Sequence, residues 1–147
     1  MPQHHQWVVV ADAGRARFLT RDHAGQDLEE LETLTDAAAR ADNADLRRDA
    51  FGSRNGGTMA SAGEDKLDHE EELFARRVAQ RLLEAHQARR YDQLRICAAP
   101  HFLGRLRKVL APEVTAAVVD ELDKDLLQLD ARALTRQLYG NGAGPAH

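Results

Sequence analysis

Apolar positions along this chain follow first a strand period and then a helical one, and that change orders the elements. Residues 6–12, Gln-Trp-Val-Val-Val-Ala-Asp, form a near-continuous apolar run, as expected of a strand buried on both faces. Ala13-Gly14 signals a turn, 16–21 reads as a second strand, and 22–27 breaks it. Residues 28–34, Leu-Glu-Glu-Leu-Glu-Thr-Leu, read as a third strand because they follow two antiparallel ones. Over 65–90 the period is helical: Leu67, Phe74, Val78, Leu82 and Ala85 share one stripe. Asp65 is placed to cap that helix, with Glu70, Glu71 and Glu72 early and Arg76, Arg77, Arg81, Arg89 and Arg90 later, which suits the helix dipole. Residues 94–99 read as a strand stopped by Pro100. A helix through Phe102, Leu103, Leu106, Val109 and Leu110 ends before Pro112. Val114 to Leu122 is expected to be the last strand, and Asp130 to cap a last helix through Leu138.

Between the third strand and the first long helix, residues 35–64 are mostly small, charged or Gly, and are expected to be a long irregular loop. Residues 140–147 read as a disordered tail. The expectation is a single α/β domain over 1–139 with the order β-β-β-α-β-α-β-α. That order gives a mixed five-stranded sheet with helices packed against it, as in ribonuclease-H-like folds.

Composition narrows the class. The chain has 147 residues, 43% hydrophobic and 30% charged. Mean hydropathy is -0.54, and the longest apolar run, Trp7 to Ala11, is too short for a membrane span. The N-terminus has neither the basic nor the apolar region of a secretory signal, so a cytoplasmic location and no membrane partner are expected. One cysteine, Cys97, excludes an intrachain disulfide framework and a multi-Cys metal site. The net charge of -4 gives no global nucleic-acid footprint, but 17 of the 20 basic residues are Arg, suited to bidentate carboxylate or phosphate contacts.

Candidate chemistry is sparse. Asp12 ends the first strand, where ribonuclease-H-like enzymes carry a metal-binding carboxylate, and Glu70 or Glu71 could serve from the helix. The fourth strand, however, ends Ala98-Ala99-Pro100-His101 without one, so Asp12 reads better as a turn residue. The Gly-rich stretch 52–58 lacks the Lys of a phosphate loop. The histidines lack metal-ligand spacing, Cys97 sits in apolar company, and no Ser occupies a Gly-x-Ser-x-Gly elbow. No catalytic residue, metal or cofactor is expected. One ligand site is: Asp12, Gly14 and Arg15 after the first strand, beside His101, Gly104 and Arg105 after the fourth. Ligands bind beyond strand C-termini in open α/β sheets, and helix N-termini attract phosphate. The competing role for Gly104 is close helix–sheet packing.

Several stretches carry a family likeness. They are Trp7-Val8-Val9-Val10-Ala11-Asp12-Ala13-Gly14-Arg15-Ala16-Arg17, His69-Glu70 leading to Phe74-Ala75, and Leu94-Arg95-Ile96-Cys97-Ala98-Ala99-Pro100. Leu103-Gly104-Arg105-Leu106-Arg107 and Glu121-Leu122-Asp123-Lys124-Asp125-Leu126 follow in order. Together they resemble the bacterial host attachment protein family over 7–138, itself similar to the middle domain of archaeal and eukaryotic peptide-chain release factors. No residue pattern supports an enzyme, and the resemblance implies a domain that binds RNA, tRNA or the ribosome, with an indirect role in host attachment. Gly56-Gly57 stands where release factors carry Gly-Gly-Gln, but Thr58 follows it, so peptidyl-tRNA hydrolysis does not carry over. The loop residues Arg40, Arg47, Arg48 and Arg54 with Gly56 and Gly57 are the expected partner contact, joined by Arg15, Arg17 and Arg105. The alternatives are a metal-dependent hydrolase of phosphate esters or nucleic acid using Asp12, and a homo-oligomeric scaffold using a sheet edge or helix face.

Overall fold

The computed structural model describes residues 5–36 and 56–140. Strands β1 (Gln6–Ala11), β2 (Arg15–Arg21) and β3 (Glu29–Thr35) come first. They are followed by helix α1 (Gly56–Gln87), strand β4 (Gln93–Ala98), helices α2 (Pro100–Val109) and α3 (Pro112–Ala117), strand β5 (Val118–Leu122) and helix α4 (Ala131–Tyr139). The five strands form one mixed sheet in the order β3-β2-β1-β4-β5. β1 pairs antiparallel with β2 and parallel with β4; β2–β3 is antiparallel and β4–β5 parallel. Among the described residues no helix is long and apolar enough to cross a membrane.

β1 is central because its side chains serve two cores. Trp7, Val9 and Ala11 face α1, α2 and α3, in a cluster with Phe18, Phe74, Val78, Leu82, Leu94, Ile96, Phe102 and Leu106. Val8 and Val10 face the other way, against Leu19, Leu28, Cys97, Leu127 and Leu134. Each fully buried aliphatic side chain contributes about 1.5–3 kcal/mol, so a strand apolar on both faces is worth most between two layers. The edge strands are charged instead. Glu32 of β3 pairs with Arg81, and Asp120 of β5 pairs with Arg95, which discourages further strands from adding on.

Two departures from the sequence expectation extend or add helix. α1 starts at Gly56, not near 65, so Gly56, Gly57 and Thr58 lie in a helical first turn and not in an irregular loop. Two glycines cost a helix about 2 kcal/mol, but propagation from a long packed helix is favourable once nucleated, and Gly is tolerated at a start. Residues 114–117 belong to α3, not to the last strand. Pro112 occupies the first turn of that helix, where its missing N–H costs nothing, and β5 begins only at the β-branched pair Val118-Val119. Arg40, Arg47, Arg48 and Arg54, and the tail from 141, lie outside the described residues.

Candidate ligand cleft

The C-terminal ends of β1, β4 and β5 lie side by side, with Ala11 opposite Ala98 in the parallel ladder. Three connections therefore leave the sheet at one end: 12–14, 99 and 123–130. Between them lies a cleft of about 580 Å³ lined by Asp12, Gly14, Arg15, Glu71, His101 and Asp125, with Ala13, Ala99, Phe102, Leu127 and Gln128. A second depression, about 780 Å³, lies at the opposite end beside His5, His86, Tyr91 and Glu113. Ligands of open α/β sheets sit beyond strand C-termini, which favours the first.

Each wall of the cleft has a local cause. Asp12 folds the β1–β2 turn: its Oδ1 accepts from the Gly14 N–H at 2.9 Å and the Arg15 N–H at 3.0 Å. The Asp12 N–H donates to the Arg15 carbonyl at 2.9 Å, closing the hairpin. The 125–129 wall is held from the sheet. Arg15 Nη2 donates to the Leu127 carbonyl at 3.3 Å, and Arg17 Nη1 donates to the carbonyls of Leu127 at 2.9 Å and Leu129 at 2.6 Å. Asp125 Oδ1 accepts from the Leu127 N–H at 3.2 Å. On the third side α2 begins with Ala99 as its cap residue and no side-chain cap. The first-turn N–H groups of His101 and Phe102 thus have no intrahelical acceptor and leave a partial positive charge at the cleft.

Of the residues singled out in the sequence, Asp12, Gly14, Arg15 and His101 meet in this cleft. Gly104 and Arg105 do not line it. Arg105 turns back onto α1, with Nη2 2.5 Å from Asp68 Oδ1 and Nε 3.3 Å from Glu71 Oε1. His101 Nδ1 is 3.6 Å from the same Glu71 oxygen, so Glu71 stands between the imidazole and the guanidinium. A Cβ on Gly104 would meet no atom within 4 Å, so neither close packing nor close approach requires glycine there. Arg17 is also removed from the expected nucleic-acid patch. It is 8% exposed, and its guanidinium is spent on Glu30 and the two carbonyls. Asp125 and Gln128 were missed. Their only sequence signal is their place just beyond the last strand.

The cleft offers two kinds of contact. Arg15, His101 and the α2 N-terminus suit an anionic group, while the free carboxylate oxygens of Asp12, Asp125 and Glu71 accept from hydroxyl or amino groups. Among the described residues no group of three or more His, Cys, Asp or Glu could hold a metal ion. Cys97 is fully buried, and burial pushes its thiol up to about 12, far from a working nucleophile.

No curated protein matches this chain. A family model does, and it runs from Trp7 of the central strand to Leu138 of the last helix, taking in every element that builds the cleft. Its description is "Protein required for attachment to host cells", and this chain, matched over residues 7–138, belongs to that family.

Proposed function

We propose that this chain is a non-catalytic binding module whose cleft takes a phosphate-bearing ribonucleotide group, with RNA of the translation apparatus as the partner. Its part in host attachment is then indirect. The observation that carries this reading is the composition of the cleft. The Arg15 guanidinium, the His101 imidazole and a helix N-terminus for phosphate stand beside carboxylates for ribose hydroxyls, at the end of the sheet where such ligands bind. The resemblance to release-factor middle domains, whose ribonuclease-H-like element order this chain parallels, supports the translation assignment. So does the place of Gly56-Gly57 at the head of α1. Thr58 after the glycines removes the residue that hydrolysis needs, and the Asp12 carboxylate is engaged by its own turn, so no bond-breaking step is assigned.

Fluorescence anisotropy of a labelled single-stranded oligoribonucleotide, with the same sequence as DNA beside it, tests this. Binding that prefers RNA, falls with salt and weakens in Arg15→Ala and His101→Ala is expected. Co-sedimentation with ribosomes should fall in the triple variant of Arg47, Arg48 and Arg54 to Ala. Absence of RNA binding at low salt together with absence of ribosome co-sedimentation overturns the proposal.

A further inference from the structure

At the other end of the sheet, on the face covered by α4, two guanidiniums meet one phenol. Arg21 lies opposite Gln6 in the β1–β2 ladder, and Arg95 opposite Val8 in the β1–β4 ladder. Tyr139, the last residue of α4, closes over them. The Arg21 Cζ is 3.4 Å from the centre of its ring and the Arg95 Cζ 4.7 Å. Arg95 is balanced by Asp120 at 2.9 Å. Among the described residues Arg21 has no such carboxylate. It is 6% exposed, and its described hydrogen bonds run to neutral acceptors: Gln6 Oε1 at 3.3 Å and the Gln26 carbonyl at 3.3 Å. Burial holds the Arg21 pKa below its ordinary value. The Tyr139 hydroxyl is buried as well and makes no well-formed hydrogen bond among the described residues.

Both features are costly in themselves. A buried cation calls for a counter-charge, and a buried hydroxyl for a partner. The ring face offsets part of the first cost and the phenol oxygen lies near both guanidiniums, but the O–H itself finds no acceptor among the described residues. One small anion answers both. We propose that Arg21, Arg95 and Tyr139 form an anion site for a tetrahedral oxyanion: inorganic phosphate, sulfate or a phosphate monoester. The two guanidiniums and the phenol O–H are its donors. Arg95, whose side chain keeps 27% exposure, is the open side. The site stands at the end of β1 away from the cleft, so it does not depend on the ribonucleotide reading.

The test is thermal unfolding of the full chain at constant ionic strength, set with NaCl, as inorganic phosphate, sulfate or acetate is titrated. A saturable rise in Tm with phosphate and sulfate, but not acetate, is expected, and it should persist in Arg15→Ala. Arg21→Gln should weaken the apparent phosphate affinity roughly tenfold or more, as expected for a lost charge-assisted donor. Tyr139→Phe, which keeps the ring, should weaken it about threefold to tenfold. If Arg21→Gln does not fold, Tyr139→Phe and calorimetric titration of the parent chain with phosphate decide. The proposal is overturned by no saturable rise in the parent chain or an equal rise with acetate. Loss of the response in Arg15→Ala, or an undiminished response in Tyr139→Phe, also overturns it.

Discussion

Arg17 on β2 donates to the carbonyl of Leu127 at 2.9 Å, across 110 residues of chain. The same nitrogen reaches Leu129, and Nη2 meets Glu30 on β3. One side chain thus joins the hairpin half of the sheet to the segment that walls the cleft. Its geometry needs a planar fork, which Lys lacks. Replacing Arg17 with Met strips the donor from the Leu129 carbonyl and leaves the Leu127 carbonyl only the longer bond from Arg15. Glu30, whose side chain is 43% exposed, can rehydrate, which limits the loss. Arg17→Met is expected to cost about 2–3 kcal/mol, measured by urea denaturation.

Arg89 sits at φ 60°, in the left-handed region, just after α1. The Arg90 N–H donates to the Ala85 carbonyl and the Arg89 N–H to the His86 carbonyl, both at 2.9 Å, the paired bonds of a Schellman cap. That position favours glycine, and the Arg89 side chain is exposed. Arg89→Gly is expected to stabilise the chain by about 1 kcal/mol, a rise of about 3 °C in Tm. An unchanged or lowered Tm contradicts the strain argument.

These two residues also mark what the sequence made legible. β1 and β4 are readable because a run such as Trp7 to Ala11 suits few places other than the centre of a two-layered sheet. Asp130 is readable because its side chain accepts from the Ala133 N–H, a contact encoded within four residues. Four of the six candidate ligand residues converge because strand ends were correctly placed. Arg17 was misassigned because its partners lie more than a hundred residues away and are backbone carbonyls, which no side-chain pattern reports. Arg105 was misassigned because its acidic partners, Asp68 and Glu71, sit on another helix whose facing surface depends on the tertiary fold. The start of α1 was missed because glycine propensity is local, whereas helix propagation is not.

Glu32 and Arg81 give a pH-dependent contribution. Arg81 donates twice to Glu32, at 2.7 and 3.0 Å, and this hydrogen bonding holds the Glu32 carboxyl below the usual range. A carboxylate with a lowered folded pKa stabilises the native state above its unfolded value, about 4.3. That stability is lost as pH falls through the folded value. Glu32→Gln should therefore lower stability at pH 7 and leave it less sensitive to acid. The side chains are 35% and 25% exposed, so solvent screening limits the pair. A double-mutant cycle with Arg81→Met should give a coupling of about 1 kcal/mol or less.

Cys97 lies between Val8, Val10 and Leu134 in the second core and has no exposed surface. With its thiol pushed up to about 12, almost no thiolate forms at neutral pH. Labelling by an aromatic disulfide reagent should proceed only as fast as the chain unfolds. Cys97→Ala should cost about 1 kcal/mol, through the small cavity it leaves. Rapid labelling of the folded chain contradicts this placement.

Asp12 separates the structural from the binding role of the cleft. Its Oδ1 takes two backbone N–H groups, so an amide oxygen in the same place keeps the turn, whereas a methyl group leaves both donors without their acceptor. Asp12→Ala is expected to destabilise by about 1–2 kcal/mol and Asp12→Asn by less than half of that, by urea denaturation. Ligand binding should respond differently. If the free Asp12 oxygen accepts from a ribose hydroxyl, Asp12→Asn keeps an acceptor for only one of the two tasks and trades charge for an N–H donor. RNA affinity should then fall in Asp12→Asn while stability is nearly kept, and the RNA-over-DNA preference should narrow with it, since the 2′-hydroxyl is the group that distinguishes the two. Parallel losses of stability and affinity across the two variants would make Asp12 a turn residue alone and leave the ribose contact to Asp125.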